Sequence, residues 1–491
     1  MDKTKIDQFY TKWQANLPQR IEGYIYDENK RILPTRFMFA KFKKVIEKFL
    51  NNKLSEIEKI VLMPGIRGIG KSTLLAQTYA IEKFLKPKDR NLLENIGKLD
   101  EKLYLDVSQL RADQISLNDF FNFYEEIKSF HFEKPQKKIL ILLDEVHFDE
   151  NWGLFLKNIF DRTKGHKDVL VIATGSSALQ IKMIPDLGRR TNIWEIFPMK
   201  LNEYLILKYD KYLVSGLSDY LQGALFDSSN ASEVFGRLKI KSQDVRKFFV
   251  ESVPPNAERD FFESGSFPSA IRIENKQKAI EKIKSVIDGI IAKDIITLQR
   301  FKTQTIAKIS DLLYLLAQSD LISYSKLKDA LKIERVETLE SLIEVLIMSG
   351  VLVRVKTYGK TYGSTRKTPK LLFVAPSIRS AVLNNIYLTG IEGKKLEDYF
   401  ALIYLKDLQS HSKYAVNLSY DLAEGGADFV VTLKDRSNIV IEVGFNKETV
   451  VQVENTLKKT NGKYGLVFGS NELELVSDSI VKIPLRFLLL I

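Results

Sequence analysis

The chain has 491 residues, 45% hydrophobic and 28% charged, which is a globular composition long enough for about three domains. It contains no cysteine, which excludes disulfides, thiolate metal sites and cysteine nucleophiles and suits a reducing cytoplasm; four scattered histidines (His131, His147, His166, His411) make no metal cluster in sequence. The formal net charge of +12 permits an anionic partner such as nucleic acid, whereas the polar stretch Met1 to Arg20 and the lack of any run of membrane-span length predict neither a secretory signal nor membrane contact.

Residues 1–58 read as an N-terminal helical segment. Phe37 to Leu50 (FMFAKFKKVIEKFL) puts apolar side chains on one helical face and lysines on the other, with Pro34 as its expected start. Residues 59–205 read as an α/β core. Ile60-Val61-Leu62-Met63 is a short apolar run of the buried-strand type, and Thr73 to Phe84 is rich in helix formers. Between them, Gly65-Ile66-Arg67-Gly68-Ile69-Gly70-Lys71-Ser72 fits G-x-x-x-x-G-K-[ST]. Gly65, Gly68 and Gly70 let amide N–H groups approach phosphates closely, and the helix opening at Lys71 aims its unpaired N–H groups at the same anion. This arrangement predicts ATP with Lys71 on the β- and γ-phosphates and the Ser72 (or Thr73) hydroxyl on Mg²⁺.

Lys102 to Val107 reads as a second strand. Ile139 to Leu143 is apolar throughout, as a strand buried on both faces of a parallel sheet should be, and it ends in Asp144-Glu145. Carboxylates at that strand end fit a Walker B pair, with Asp144 holding Mg²⁺ and Glu145 polarising the attacking water. Val169 to Ala173 is a further buried strand ending in Thr174-Gly175-Ser176-Ser177, where Thr174 and Ser176 are both candidates to touch the γ-phosphate or the water. Trp152 to Thr163 is an amphipathic helix ending near Arg162.

With these segments in order, and with Asp186-Leu187-Gly188-Arg189-Arg190 and Phe197 to Leu205 (FPMKLNEYL) following, residues 59–205 resemble the prokaryotic AAA+ ATPases often called archaeal-type. Arg67 between the loop glycines is one of the marks of that resemblance, and Met199 and Lys200 depart from its last segment. The resemblance implies ATP hydrolysis, a homo-oligomer that includes the ring as one form, ATP and ADP as ligands, and an arginine finger or sensor at Arg189 or Arg190, with Arg162 as a weaker rival.

Residues 206–302 read as a helical lid. Gly216 to Ser232 is its most loop-like stretch, Glu263 to Pro268 is similar to the family's G-G-x-P turn, and Lys276 to Leu298 is a long helix. Residues 303–376 look like a winged helix: three helices, then a β-ribbon of Val351 to Val355 and Lys370 to Val374. Its tip carries Lys356, Lys360, Arg366 and Lys367 with Tyr358 and Tyr362 interleaved, a pattern suited to DNA phosphates. Glu337, Glu340 and Glu344 on the third helix speak against base reading there.

Residues 377–491 read as an α/β unit that resembles the PD-(D/E)xK nuclease-like domain often following such ATPases. Gly393 to Leu405 reads as a helix containing Glu397, and the resemblance implies a second metal site at Asp428 and Glu442. Gly444 stands where the family's lysine belongs, and Lys447 lies three residues on, so a degenerate domain that binds or scaffolds is expected. The whole reads as an α/β protein with a P-loop AAA+ parallel-sheet core, helical lid, winged helix and C-terminal restriction-endonuclease-like domain. Two other classes stay open: a nucleotide-gated binding module with slow incidental hydrolysis, and an ATP-dependent metal nuclease.

Overall fold

In the computed structural model the described residues are 3–175, 185–295, 303–319, 321–359, 368–384, 390–409 and 414–491. They form two units, Met1–Ile196 and Phe197–Ile491. The first is built on β1 (Ile60–Pro64), β2 (Glu101–Asp106), β3 (Ile139–Asp144), β4 (Val169–Gly175) and β5 (Asn192–Ile193), in the spatial order β2-β3-β4-β1-β5. All four pairings are parallel. Every residue of β1, β3 and β4 is buried, because helices cover both faces of a parallel sheet; this is why their sequences show unbroken apolar runs. Parallel strands end together, so the loop after β1, Asp106, Asp144 and Thr174 share one edge.

The Lys3–Ile25 helix buries Ile6, Phe9, Trp13, Leu17, Ile21 and Ile25, a three-and-four spacing that makes one apolar stripe. The next helix starts at Phe39, not at Pro34. Pro34 lies in the preceding segment, where its carbonyl accepts a hydrogen bond from Gln77 Nε2 at 3.4 Å. The helix after the glycine loop runs Lys71–Tyr79 and gives way to a 3₁₀ turn at Ile81–Phe84. No helix among the described residues is long and apolar enough to cross a membrane.

The second unit opens on helices Leu201–Tyr209, Leu217–Phe226, Ala231–Glu251 and Lys276–Gly289. The stretch expected to be loop-like at Gly216 to Ser232 is thus largely helical. Leu217, Leu221, Ala224 and Leu225 form a buried stripe, and this packing outweighs the glycine and serine content. Helices Thr303–Gln318, Tyr324–Ala330 and Val336–Met348 precede β6 (Leu352–Thr357) and β7 (Lys370–Phe373), which pair antiparallel. The later strands are β8 (Ala415–Tyr420), β9 (Phe429–Leu433), β10 (Asn438–Val443), β11 (Tyr464–Phe468), β12 (Glu474–Ser477) and β13 (Ile480–Ile483).

The ribbon does not stand apart from these strands. β6 runs parallel to β8 through Lys356–Ser419 and Thr357–Tyr420, giving one sheet in the order β12-β13-β11-β10-β9-β8-β6-β7. The division expected at residues 376 and 377 therefore falls within one eight-stranded sheet. Tyr358, expected at a free tip, continues the pairing through its N–H to the Tyr420 carbonyl at 2.8 Å, and its hydroxyl accepts from Asn438 Nδ2 at 3.2 Å.

Two sets of buried charges tie this unit together. Lys200, a departure from the family pattern, is buried; it pairs with Asp407 at 2.8 Å and donates to the Ile491 carbonyl at 2.6 Å. Arg379 and Asp398 make a bidentate pair at 2.6 and 2.8 Å with neither side chain exposed. Arg379 also donates to the Ala317 carbonyl, and Asp398 accepts from Phe373 N–H, so the pair joins the Thr303–Gln318 helix, β7 and the Ile391–Ile403 helix.

Candidate functional site

The first site lies at the shared strand edge of the first unit. Gly70, at φ +86°, caps the Lys71–Tyr79 helix in the left-handed region that a Cβ disfavours. At Gly65 the constraint is space: a Cβ there would lie 2.7 Å from the Ile196 carbonyl oxygen. Gly68 also has positive φ, and Arg67 beside it is half-buried. Lys71 is buried, donates to the carbonyls of Gly65 at 2.9 Å and Ile66 at 3.1 Å, and stands 3.8 Å from Glu145 Oε1. Ser72 and Thr73 follow on the first helical turn, half-buried.

Asp144 is buried and Glu145 beside it is partly so. Thr174 donates to Asp144 Oδ1 at 2.5 Å and accepts the Glu145 N–H at 2.9 Å. Burial, then the neighbouring Glu145 charge, push the Asp144 carboxyl up to about 6, against the pull of hydrogen bonds from Thr174 and Ser72. Glu145 adopts φ +55°, a conformation that costs an ordinary residue about 1–2 kcal/mol. Its Oε2 is buried and accepts no hydrogen bond among the described residues, with His147 Nδ1 at 3.3 Å. The donor set suits a divalent cation: a desolvated carboxylate beside a serine hydroxyl gains where a cation offsets its charge. The orphaned Glu145 oxygen suits a water.

The structure thus brings together Gly65, Arg67, Gly68, Gly70, Lys71, Ser72, Thr73, Asp144, Glu145 and Thr174. Ser176 lies outside the described residues. Of the three arginines, Arg162 is engaged by Glu125 at 2.7 Å and by Glu133 at 2.5 Å, beside a cavity of about 340 Å³ whose lining includes Asn118, Asn122 and Phe155. Arg190 pairs with Asp161 at 3.6 Å, and Arg189 is exposed with no ion pair among the described residues. Linear patterns missed Arg36, which is buried and donates to the Ile69 carbonyl at 2.7 Å, and Tyr104, whose hydroxyl donates to Asp144 Oδ2 at 3.1 Å. Neither sits in a motif, and Tyr104 reads in sequence only as a strand aromatic.

A second cluster lies in the other unit. Asp428 and Glu442 meet through main-chain bonds: Glu442 Oε2 accepts Asp428 N–H at 3.1 Å, and Asp428 Oδ2 accepts Val443 N–H at 3.0 Å. Lys370, from β7, pairs with Glu397 and lies 3.5 Å from Asp428 Oδ1. Lys447 donates to Glu442 Oε1 at 2.5 Å, and a Cβ at Gly444 would lie 2.5 Å from Lys447 Cε. The lysine chain therefore fills the space a side chain at 444 would take. Burial and then Asp428 push Glu442 up to about 7, Lys447 opposing. Two ammonium groups stand among three carboxylates, and no set of three acidic or imidazole side chains converges as a metal site among the described residues. Both carboxylates of the expected second metal pair thus have a lysine ammonium beside them. Of the basic tip, Lys356 is exposed on β6; Lys360, Arg366 and Lys367 lie outside the described residues.

Residues 57–205 match the family described as AAA domain, and residues 257–389 match a domain of unknown function, DUF8612. The chain is 31% identical over 475 residues to the uncharacterized protein MJ1637 of Methanocaldococcus jannaschii, covering 95% of this chain and 90% of the relative. Similar solved structures include the Orc1 protein of Aeropyrum pernix in complex with DNA (TM-score 0.30, 10% identity, 72% of this chain and 93% of that one). Another is a RuvB variant of Thermotoga maritima (TM-score 0.29, 14% identity, 66% and 90%).

Proposed function

We propose that the chain, which belongs to the family it shares with the Methanocaldococcus jannaschii relative and whose residues 57–205 match an AAA domain, binds and hydrolyses ATP with Mg²⁺. One observation carries this reading: the Lys71 ammonium and the Asp144-Glu145 pair meet at one strand edge, with Glu145 Oε1 3.8 Å from Lys71 Nζ. The loop amides and Lys71 bind the phosphates, and Ser72 and Asp144 are the residues that would hold Mg²⁺. A Mg²⁺ ion held by these two residues would supply charge that offsets the phosphates. Glu145 takes the proton of the attacking water through its orphaned Oε2, and Thr174 holds the Glu145 main chain in its left-handed turn.

Hydrolysis is coupled to the second unit, which binds DNA backbone or protein. Lys356, exposed on β6, supports the DNA form together with the basic residues Lys360, Arg366 and Lys367 that follow in sequence. Arg189 is the finger candidate that its surroundings leave available, and it would act on a neighbouring copy in a homo-oligomer. Glu145→Gln should keep ATP-analogue affinity and lose turnover; unchanged turnover overturns the role given to Glu145. Lys71→Ala should abolish nucleotide binding.

A second reading, a metal-dependent nuclease, is favoured by Lys447 covering Gly444 and reaching Glu442. Lys370, which pairs with Glu397 and lies near Asp428, counts against it and supports the binding or scaffolding role. Plasmid incubated with the full chain, ATP and Mn²⁺ separates the two: cleavage that Glu442→Ala abolishes supports the nuclease, and intact plasmid removes it.

A further inference from the structure

Asp144 is gripped on both oxygens. Thr174 donates to Oδ1 and the Tyr104 hydroxyl to Oδ2. Terminal torsions of aspartate are broad and roughly two-fold, so one donor leaves the carboxylate plane loosely set, whereas two donors on different oxygens fix it. Tyr104 is itself clamped. Its ring stacks on Trp13 at 6.4 Å and 5°, and Tyr79, from the end of the loop helix, meets it edge-on at 6.2 Å. The Trp13 indole N–H donates to the Tyr104 carbonyl at 2.7 Å.

Trp13 also neighbours Arg20, whose guanidinium lies 5.0 Å from the indole centroid and pairs with Asp106. Asp106 stands opposite Asp144 in the β2–β3 register, and its second oxygen accepts Ser108 N–H at 3.0 Å. The Lys3–Ile25 helix therefore delivers Trp13 and Arg20 to the end of β2, beside the β3 end that carries Asp144.

We propose that the Lys3–Ile25 helix sets the Mg²⁺-facing aspartate: Tyr104 is the positioning residue that orients Asp144, and Trp13 and Arg20 hold Tyr104 and Asp106 in register. This rests on the ATPase reading and adds to it a group outside every phosphate-binding motif. Tyr104→Phe keeps the ring and its stacking and removes only the hydroxyl, so a purely structural role would leave the metal requirement unchanged.

The test uses the full chain. ATP turnover is titrated with Mg²⁺, and a fluorescent ADP analogue is bound separately in EDTA. In Tyr104→Phe the Mg²⁺ concentration for half-maximal turnover should rise about tenfold, the size of one hydrogen bond to a charged group. Analogue affinity in EDTA should stay within about twofold of wild type, less than the effect of one such bond. Arg20→Met, read in the same way and available should Tyr104→Phe fail to fold, should raise the requirement about threefold, since it acts through a second residue. A wild-type Mg²⁺ requirement in either folded variant overturns the proposal, as does an equal loss of analogue affinity in EDTA. Wild type that neither binds the analogue nor turns over ATP overturns the ATPase reading instead.

Discussion

The Thr174 hydroxyl sits between Asp144 and Glu145, giving its proton to one at 2.5 Å and taking the main-chain N–H of the other at 2.9 Å. One side chain at the end of β4 thereby sets both carboxylates at the end of β3. Thr174→Val keeps the shape and loses both bonds. Turnover should fall by about ten- to a hundredfold, as losing a hydrogen bond to a charged group implies, while ATP-analogue affinity changes little. Single-turnover kinetics with an affinity measurement checks this, and a fall in affinity alone would speak against it.

The arginines should separate by their surroundings. Arg162→Ala strips the partner from Glu125, whose side chain is only 8% exposed, and should lower the melting temperature by several degrees. Arg189 is exposed, so Arg189→Ala should leave the melting temperature within about a degree. Its turnover should nevertheless drop about a thousandfold where copies assemble, as loss of an arginine finger does. Thermal melts and turnover measured across protein concentration decide between finger and bystander.

Arg379 and Asp398 carry opposite charges with no solvent to share them. Asp398→Ala should destabilise the second unit by about 3–5 kcal/mol, because a guanidinium is left buried without its carboxylate. Arg379→Met combined with Asp398→Leu should recover part of that loss. Urea unfolding of each variant provides the comparison, and additive losses in the double variant would contradict the pairing.

Glu442 titrates against the usual direction for a paired carboxylate. Its folded value, raised to about 7 from 4.5, means that its favourable contribution is present below pH 4.5 and is lost as pH rises through 7. Wild type should therefore lose stability between pH 5.5 and pH 8 relative to Glu442→Gln, by up to about 2 kcal/mol. The difference between their melting curves reports this carboxyl together with Lys447, whose own titration Glu442 raises. A gap that does not change with pH would refute it.

Much of the first site was legible in the sequence because its parts are local. A phosphate loop needs its glycines, lysine and hydroxyl within eight consecutive residues, and a strand buried on both faces shows an apolar run that ends where Asp144 and Glu145 begin. Amphipathic spacing likewise located the helices at Phe39–Leu50 and Trp152–Arg162 to within a few residues, whereas the helix expected over Lys276 to Leu298 is α-helical through Gly289 and its last three residues lie outside the described residues. The loop-like reading of Gly216 to Ser232 failed because a buried leucine stripe outweighs local glycine content, and Pro34 failed as a helix start because it serves the segment before one.

The amino-acid sequence by itself determined that a glycine-rich loop follows one buried strand and that an Asp-Glu pair ends another, since both features are local runs of residues. The tertiary structure alone decided what stands beside those residues. Tyr104 reaches Asp144 across a strand pair, Lys447 folds back over Gly444, Lys370 crosses from β7 to Glu397, and the β6–β7 ribbon joins a sheet instead of standing free. The Tyr104–Asp144 contact and the ribbon's place in the sheet are closed by strand pairing between distant segments, and the spacing of residues along a chain carries no record of which strands will lie side by side.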